Sequence, residues 1–178
     1  LVDAWLALGR LYRRQGRLAE SLSAFREAHT ERPLDPFLVS KLANAMISSQ
    51  QFAEAERLLQ AAQEKHPDDP YIVFALARVM EATGRFAEAE ESFRTVLELD
   101  PRAAPRHARL APLALRRRDF TSARAELDAA ERLHPRVPEA NLLEGQLLEG
   151  QNRLDDASLA YREELSSSPN SLPAAIAL

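Results

Sequence analysis

The chain of 178 residues contains no cysteine, only two lysines, and no long apolar run. The lack of cysteine excludes disulfides, thiolate nucleophiles and thiolate metal sites. No apolar stretch approaches the roughly 18 residues that span a bilayer, so we expect no direct membrane insertion. The formal net charge of -4 argues against a general attraction to nucleic acid, which requires a basic excess.

A signal peptide is also missing at the start of the sequence. The chain opens at Leu1 without an initiator methionine, so we expect it to be a piece of a longer protein. The missing signal therefore leaves the compartment open.

Proline recurs with a strict period. The residues that mark it are Pro33, Pro67, Pro101, Pro135 and Pro169, at steps of 34. Small residues keep the same phase at Gly9, Ala43, Ala77, Ala111 and Gly145. Large apolar residues do so at Phe25, Leu59, Phe93, Leu127 and Tyr161. A period of this length indicates a stack of supersecondary units, each of which packs on its neighbours.

Each period contains two amphipathic stripes. In the first, Trp5, Leu8 and Tyr12 step by three and four residues, which is one face of an α-helix. A second stripe starts at Leu18, after a break at Gly16. Two short helices joined by a tight turn form an antiparallel hairpin. The predicted helices are near 3–15, 18–31, 36–49, 52–65, 70–83, 86–99, 104–117, 120–133, 138–150 and 154–167.

The turns and helix starts carry fitting residues. Gly16 and Gly84 supply the left-handed conformation that ends a helix, and Asn152 can substitute for glycine there, whereas Gln50 and Arg118 fit that position less well. Prolines at the predicted helix starts are Pro36, Pro70 and Pro138, with Asp35 and Asp69 as N-caps. Pro112 lies inside a predicted helix, where we expect a kink or a widened turn.

These residues resemble the tetratricopeptide repeat. The family places Trp, Leu-Gly and Tyr on the first helix, Ala, Phe and Ala on the second, and Pro after it. The first repeat matches with Trp5, Leu8, Gly9, Tyr12, Ser21, Phe25, Ala28 and Pro33. The third keeps Leu76, Ala77, Gly84, Ala89, Phe93 and Pro101. The departures are His107 and Asn141 for the aromatic residue, Glu144 for leucine and Glu164 for alanine.

The resemblance implies an all-α fold, a right-handed superhelical solenoid of five helix-turn-helix repeats. The repeats would span 2–35, 36–69, 70–103, 104–137 and 138–171, with the start of a further helix at 172–178, in a single domain over 1–178. The first helices of such a solenoid line a concave groove, and residues that packing does not dictate carry its specificity.

By the family's register, we predict a peptide-binding groove. Its residues are Arg10, Arg13, Phe37, Lys41, Asn44, Tyr71, Phe74, Arg78, Arg109 and Arg116. The same register adds Asp3, Leu6, Pro105, Leu142, Gln146 and Glu149. When Arg14 and Glu81 are included, the groove positions of the first four repeats hold seven cationic and two acidic side chains. This excess predicts an acidic, partly apolar peptide as the ligand; the alternative is that these charges are the solvated faces of arginine-rich helices.

The two-carboxylate clamp known from the family is absent. It needs Lys and Asn on the first helix of the first repeat, where this chain has Leu6 and Arg10, and its later positions are also changed. We therefore do not expect recognition of a chaperone tail of that kind.

Catalytic, cofactor and metal sites are not expected. No two of the four histidines share a helix at the spacing of a metal pair. A phosphate-binding loop, a nucleophile elbow and a triad context are missing as well. The sequence therefore favours a scaffold that binds a protein or peptide over an enzyme. Two alternatives remain open. The chain could be the scaffold arm of a larger enzyme, or it could bind RNA as a related helical hairpin repeat does. The 34-residue period and the negative net charge argue against RNA binding.

Both ends of the chain are apolar. Leu1, Trp5 and Leu8 belong to a first hairpin with nothing before it, and Leu172 and Ile176 belong to an unfinished helix. Because repeat stacks need polar caps, we expect self-association through the exposed terminal repeats.

Overall fold

The computed structural model describes residues 1–99, 104–133, 140–168 and 171–177, apart from the side chains of 104–106, 108 and 172. These residues form eleven helices and no β-strand. The helices are α1 Val2–Arg14, α2 Leu18–Glu31, α3 Pro36–Ser48, α4 Phe52–Gln63, α5 Pro70–Ala82, α6 Phe86–Leu99, α7 Ala104–Arg116, α8 Phe120–Leu133, α9 Ala140–Gly150, α10 Leu154–Ser167 and α11 Leu172–Ala177. The chain divides into two compact units, Leu1–Leu99 and Asp100–Leu178.

The helix boundaries agree with the predicted ones to within two residues. The largest difference at a described end is in α4, which stops at Gln63. The helix start predicted at Pro138 lies outside the described residues.

All five turns within hairpins have the same geometry. Each places one residue in the left-handed region: Gly16 (φ 73°), Gln50 (φ 60°), Gly84 (φ 82°), Arg118 (φ 60°) and Asn152 (φ 62°). In the first turn, Arg17 N–H donates to the Tyr12 carbonyl at 2.9 Å, and Gly16 N–H donates to Arg13 at 3.0 Å. The other four turns repeat both bonds at the matching positions. This is the Schellman motif, so the sequence interpretation of these positions is confirmed.

Aspartate caps fix the starts of α3 and α5. Asp35 Oδ1 accepts hydrogen bonds from the backbone N–H groups of Phe37 at 3.0 Å and Leu38 at 3.4 Å. Asp69 Oδ1 accepts from the N–H of Tyr71 at 2.9 Å, and the first residue of each helix is proline. These caps satisfy free donors of the first turn and set the positions of the two aromatic side chains.

Small residues allow the two helices of a hairpin to approach closely. A Cβ on Gly9 would lie 2.9 Å from the Phe25 ring, and the Ser21 hydroxyl donates to the Gly9 carbonyl at 2.8 Å. In the fifth hairpin, a Cβ on Gly145 would lie 2.3 Å from the Tyr161 ring. The small residues that recur with the repeat period thus lie where the two helices of a hairpin pack most closely.

Each unit has its own apolar core. The core of the first unit includes Leu22, Phe25, Leu38, Leu42, Leu59, Ile72 and Leu76. In the second unit, the buried apolar residues include Leu127, Leu143, Leu147, Leu148, Ala160 and Tyr161. Two residues that we had assigned to the groove belong to these cores instead: Leu6 is 8% exposed and Leu142 is 7% exposed.

Polar residues at apolar positions of the repeat are paired in the second unit. Arg124 Nη2 on α8 lies 2.5 Å from Glu144 Oε1 on α9, and this carboxylate raises the pKa of Arg124. His107 Nδ1 lies 2.6 Å from Glu126 Oε2 on the facing helix. The departures at positions 107 and 144 are thus matched by partners on neighbouring helices.

Helix α7 continues through Pro112 as one α-helix. The widened turn that we expected there is not present. The proline nitrogen still lacks a hydrogen to donate to the Ala108 carbonyl, so a local bend remains a prediction.

Candidate functional site

The charges of three arginines act on Lys41, and we call these four cations of the first unit the basic cluster: Arg10, Arg13, Lys41 and Arg78. They come from three different helices, α1, α3 and α5. Burial is the main cause that lowers the pKa of Lys41, and the charges of Arg13, Arg10 and Arg78 lower it further. The structure therefore brings together four of the predicted groove residues.

Two cations of the basic cluster have no ion-pair partner in the first unit. Arg10 and Arg13 are exposed, and within residues 1–99 neither forms an ion pair. The Arg78 guanidinium donates to the side-chain oxygen of Asn44, a predicted groove residue one turn beyond Lys41. Since like charges repel and burial disfavours an ammonium group, this arrangement costs stability instead of adding to it.

An aromatic pair adjoins the basic cluster. The rings of Phe37 and Tyr71 meet edge to face, with centroids 5.5 Å apart and an interplanar angle of 84°. The Lys41 ammonium lies 4.7 Å from the Phe37 centroid. Tyr71 is 45% exposed, so its ring offers apolar surface beside the cations.

The remaining predicted residues divide between the two units. Phe74 is half-buried and its ring packs on that of Phe93, with centroids 5.4 Å apart, so packing accounts for it. Arg109 and Arg116 lie on α7 in the second unit. A single stripe that joins them to the basic cluster stays a prediction.

A cleft in the second unit, which we call the turn cleft, is lined in part by residues that we had assigned to the groove, Arg116, Gln146 and Glu149. Its volume is about 700 Å³, and its lining includes Leu115, Arg116, Arg118, Phe120, Gly150 and Asn152. The sequence also has a glycine at this cleft. At the repeat position of Gly150, the earlier repeats have Arg14, Ser48, Ala82 and Arg116, so a glycine there leaves room that the others fill.

The described residues contain no group of three or more His, Asp or Glu that could hold a metal ion. None of the described helices has the length and apolar character that crossing a membrane requires.

Family models named tetratricopeptide repeat match residues 12–79 and 47–113, and a further one matches 109–171. The chain belongs to the tetratricopeptide repeat family. It is an all-α helical repeat solenoid, as the resemblance implied. Tetratricopeptide repeat proteins are in general non-catalytic scaffolds that bind protein or peptide partners.

Solved structures share this fold. A thermophilic tetratricopeptide repeat protein of Thermus thermophilus is 22% identical, covers 99% of this chain and 96% of its own, and has a TM-score of 0.83. A tetratricopeptide repeat protein from Parabacteroides merdae is 15% identical, with coverage of 99% and 70% and a TM-score of 0.68. YrrB, described as having an unusual peptide-binding site, is 13% identical, with coverage of 97% and 89% and a TM-score of 0.64. No curated protein matches the chain significantly.

Proposed function

We propose that this chain is an interaction scaffold that holds an acidic, partly apolar polypeptide on the basic cluster and the adjoining aromatic pair. The observation that carries the proposal is the state of Lys41. Burial is the main cause that lowers the pKa of this half-buried ammonium group, and the charges of three arginines lower it further. An acidic side chain placed among these cations relieves their mutual repulsion.

The aromatic pair accounts for the apolar side chain of the proposed ligand. Tyr71 exposes nearly half of its surface, and Phe37 lies between it and the Lys41 ammonium. An apolar side chain that covers Tyr71 removes this surface from water and also shields the nearby charges. A ligand with an acidic residue close to an apolar one therefore satisfies both surfaces at once.

The fold supports this use. A tetratricopeptide repeat solenoid binds polypeptides, and the similar protein YrrB carries a peptide-binding site by its own description. This likeness supports a peptide as the class of ligand; the acidic character rests on the residues of this chain alone.

Titration of the protein with two blocked peptides tests the proposal. One peptide combines aspartate and leucine, and the other replaces each aspartate by asparagine. We expect the aspartate peptide to bind at least about ten-fold more tightly at low salt, with an advantage that shrinks as salt rises, because salt screens exposed charges over about 10 Å at 0.1 M. Equal affinities for both peptides at low salt would contradict the proposal.

A further inference from the structure

The two lysines of the chain lie in contrasting surroundings. The Lys41 ammonium lies 4.7 Å from the centroid of the Phe37 ring and forms no ion pair within residues 1–99. Its side chain is half-buried, and its charged neighbours are arginines. The other lysine, Lys65, is exposed and lies outside the basic cluster. The chain therefore carries one unusual lysine amine together with an ordinary one for comparison.

Helix α1 brings two arginines towards Lys41. Leu6 on α1 and Leu42 on α3 belong to one apolar core. Arg10 follows Leu6 by one helical turn, and Lys41 directly precedes Leu42. Arg13 lies three residues beyond Arg10, on the same side of the helix. Both arginines are exposed and form no ion pair within residues 1–99, so their guanidinium groups have N–H donors for an anion.

Helix α5 contributes the third arginine. Arg78 donates a hydrogen bond to the side-chain oxygen of Asn44, which lies one turn beyond Lys41 on α3. Burial lowers the pKa of Lys41 most, and the charges of the three arginines lower it further. A lowered pKa leaves a larger fraction of a lysine as the neutral amine at a given pH, and this is the form that acts as a nucleophile.

We propose that Lys41 is a site of reversible modification by carbon dioxide, which converts its amine to a carbamate held by Arg10 and Arg13. The lone pair of the Lys41 nitrogen forms the new N–C bond, and one electron pair of a C=O bond moves onto oxygen. The nitrogen then gives one proton to water. The step requires no oxidant and no further reactant, and loss of carbon dioxide reverses it.

The surroundings of Lys41 favour both the reactant and the product of this step. Carbon dioxide is small and uncharged, so neither partial burial nor the nearby cations exclude it. The carbamate is a planar anion that resembles a carboxylate, and guanidinium groups donate to such anions through two parallel N–H groups. The charges that repel an ammonium group attract a carbamate, so the modification removes a repulsion from the cluster. An exposed lysine such as Lys65 has neither advantage.

NMR of the full chain, equilibrated with isotopically labelled carbon dioxide at about pH 8, detects the carbamate under conditions where ordinary lysines are almost fully protonated. Alkylation with a trialkyloxonium reagent traps the carbamate, and mass spectrometry then locates it. Lys41→Met and Lys65→Met assign the signals and separate them from a carbamate on the terminal amine. The test uses no peptide, so its outcome is independent of the function proposed above.

Two arginine variants of α1 form a matched pair. Arg13→Gln removes a charge that acts on Lys41. Arg14→Gln removes the same charge from the next position, which is also exposed but is not among the charges that act on this lysine. Glutamine has a helix propensity close to that of arginine, so both variants keep the helix.

We expect Lys41 to reach half-modification at a carbon dioxide concentration at least about ten-fold lower than Lys65 does. Arg13→Gln should raise the concentration that Lys41 requires by about five-fold, whereas Arg14→Gln should change it by less than about two-fold. Absence of a carbamate on Lys41, or equal modification of the two lysines, would overturn the proposal. Equal effects of the two arginine variants would overturn it as well.

Discussion

The Lys41 ammonium lies 4.7 Å from the centre of the Phe37 ring and carries no ion pair within residues 1–99. Burial lowers the pKa of Lys41 most, and the charges of Arg13, Arg10 and Arg78 lower it further. Evolution of a stable fold alone would favour an anion or an apolar residue at this position. The acidic side chain that we propose as the ligand of this site would offset the cost.

The lowered pKa of Lys41 makes the free energy of unfolding depend on pH. Its pKa is lower in the folded chain than the value of about 10.4 in the unfolded chain. Between the two pKa values the unfolded state binds more protons, so the contribution of Lys41 to the free energy of unfolding rises with pH. Lys41→Met should therefore be more stable than the wild type at pH 7, by a few tenths of a kcal/mol to about 1 kcal/mol, and this advantage should shrink towards pH 10. Urea unfolding of both proteins from pH 7 to 10 measures it; a difference that does not change with pH would contradict this interpretation.

Glycine in place of a left-handed turn residue should stabilise the fold. Gln50 has a φ of 60°, so Gln50→Gly should raise the free energy of unfolding by about 0.5 to 1 kcal/mol. The control is Gln60→Gly on the exposed middle of α4, which should lower it by about 0.5 to 1 kcal/mol. Urea unfolding compares the two variants, and a loss of stability in Gln50→Gly would be the contrary result.

The contact between Gly145 and Tyr161 predicts that a larger residue at 145 destabilises the chain, and that a smaller residue at 161 compensates for it. Gly145→Ala should destabilise the chain by about 1 to 3 kcal/mol, because the new Cβ would lie 2.3 Å from the Tyr161 ring. The second and fourth repeats pair alanine with leucine at these positions, as in Ala111 and Leu127. Adding Tyr161→Leu to Gly145→Ala should therefore be less harmful than the sum of the two single changes. A double-mutant cycle of melting curves measures the coupling, and additive losses would contradict the contact.

The exposed face of the first hairpin predicts self-association. Leu11 is 50% exposed, whereas the residues at its position in later repeats, Ala45, Val79, Leu113 and Leu147, are buried. Ile176 near the other end is exposed as well. We expect sedimentation velocity to show reversible association at high concentration, reduced in Leu11→Lys. A single monomeric species over the whole range would remove the prediction.

Much of the fold follows from the sequence because the period fixes it. The 34-residue spacing placed Gly16 and Arg118 at equivalent turns, and both have positive φ. The same register placed Leu6 and Leu142 in the groove, although they are buried. The register gives the direction of a side chain relative to its own helix only, whereas burial depends on the neighbouring hairpins.

The candidate site could be predicted in part for the same reason. Arg10, Lys41 and Arg78 share a face in the repeat pattern, so their proximity was foreseeable. The packing of Phe74 on Phe93 and the turn cleft depend on side chains from several elements. The register placed Arg116, Gln146 and Glu149 of the cleft lining in the groove, whereas the contact of Gly150 with the Phe120 ring was not predicted.

The affinity of two lysine variants for the acidic peptide tests the central claim most directly. Lys41→Met and Lys65→Met remove the same charge from the chain's only lysines, but Lys65 is exposed and lies outside the basic cluster. At low salt we expect Lys41→Met to bind the aspartate peptide about ten-fold more weakly than the wild type, and Lys65→Met to stay within about two-fold of it. Equal losses in the two variants would show that only the net charge of the protein matters, and would contradict a binding site at Lys41.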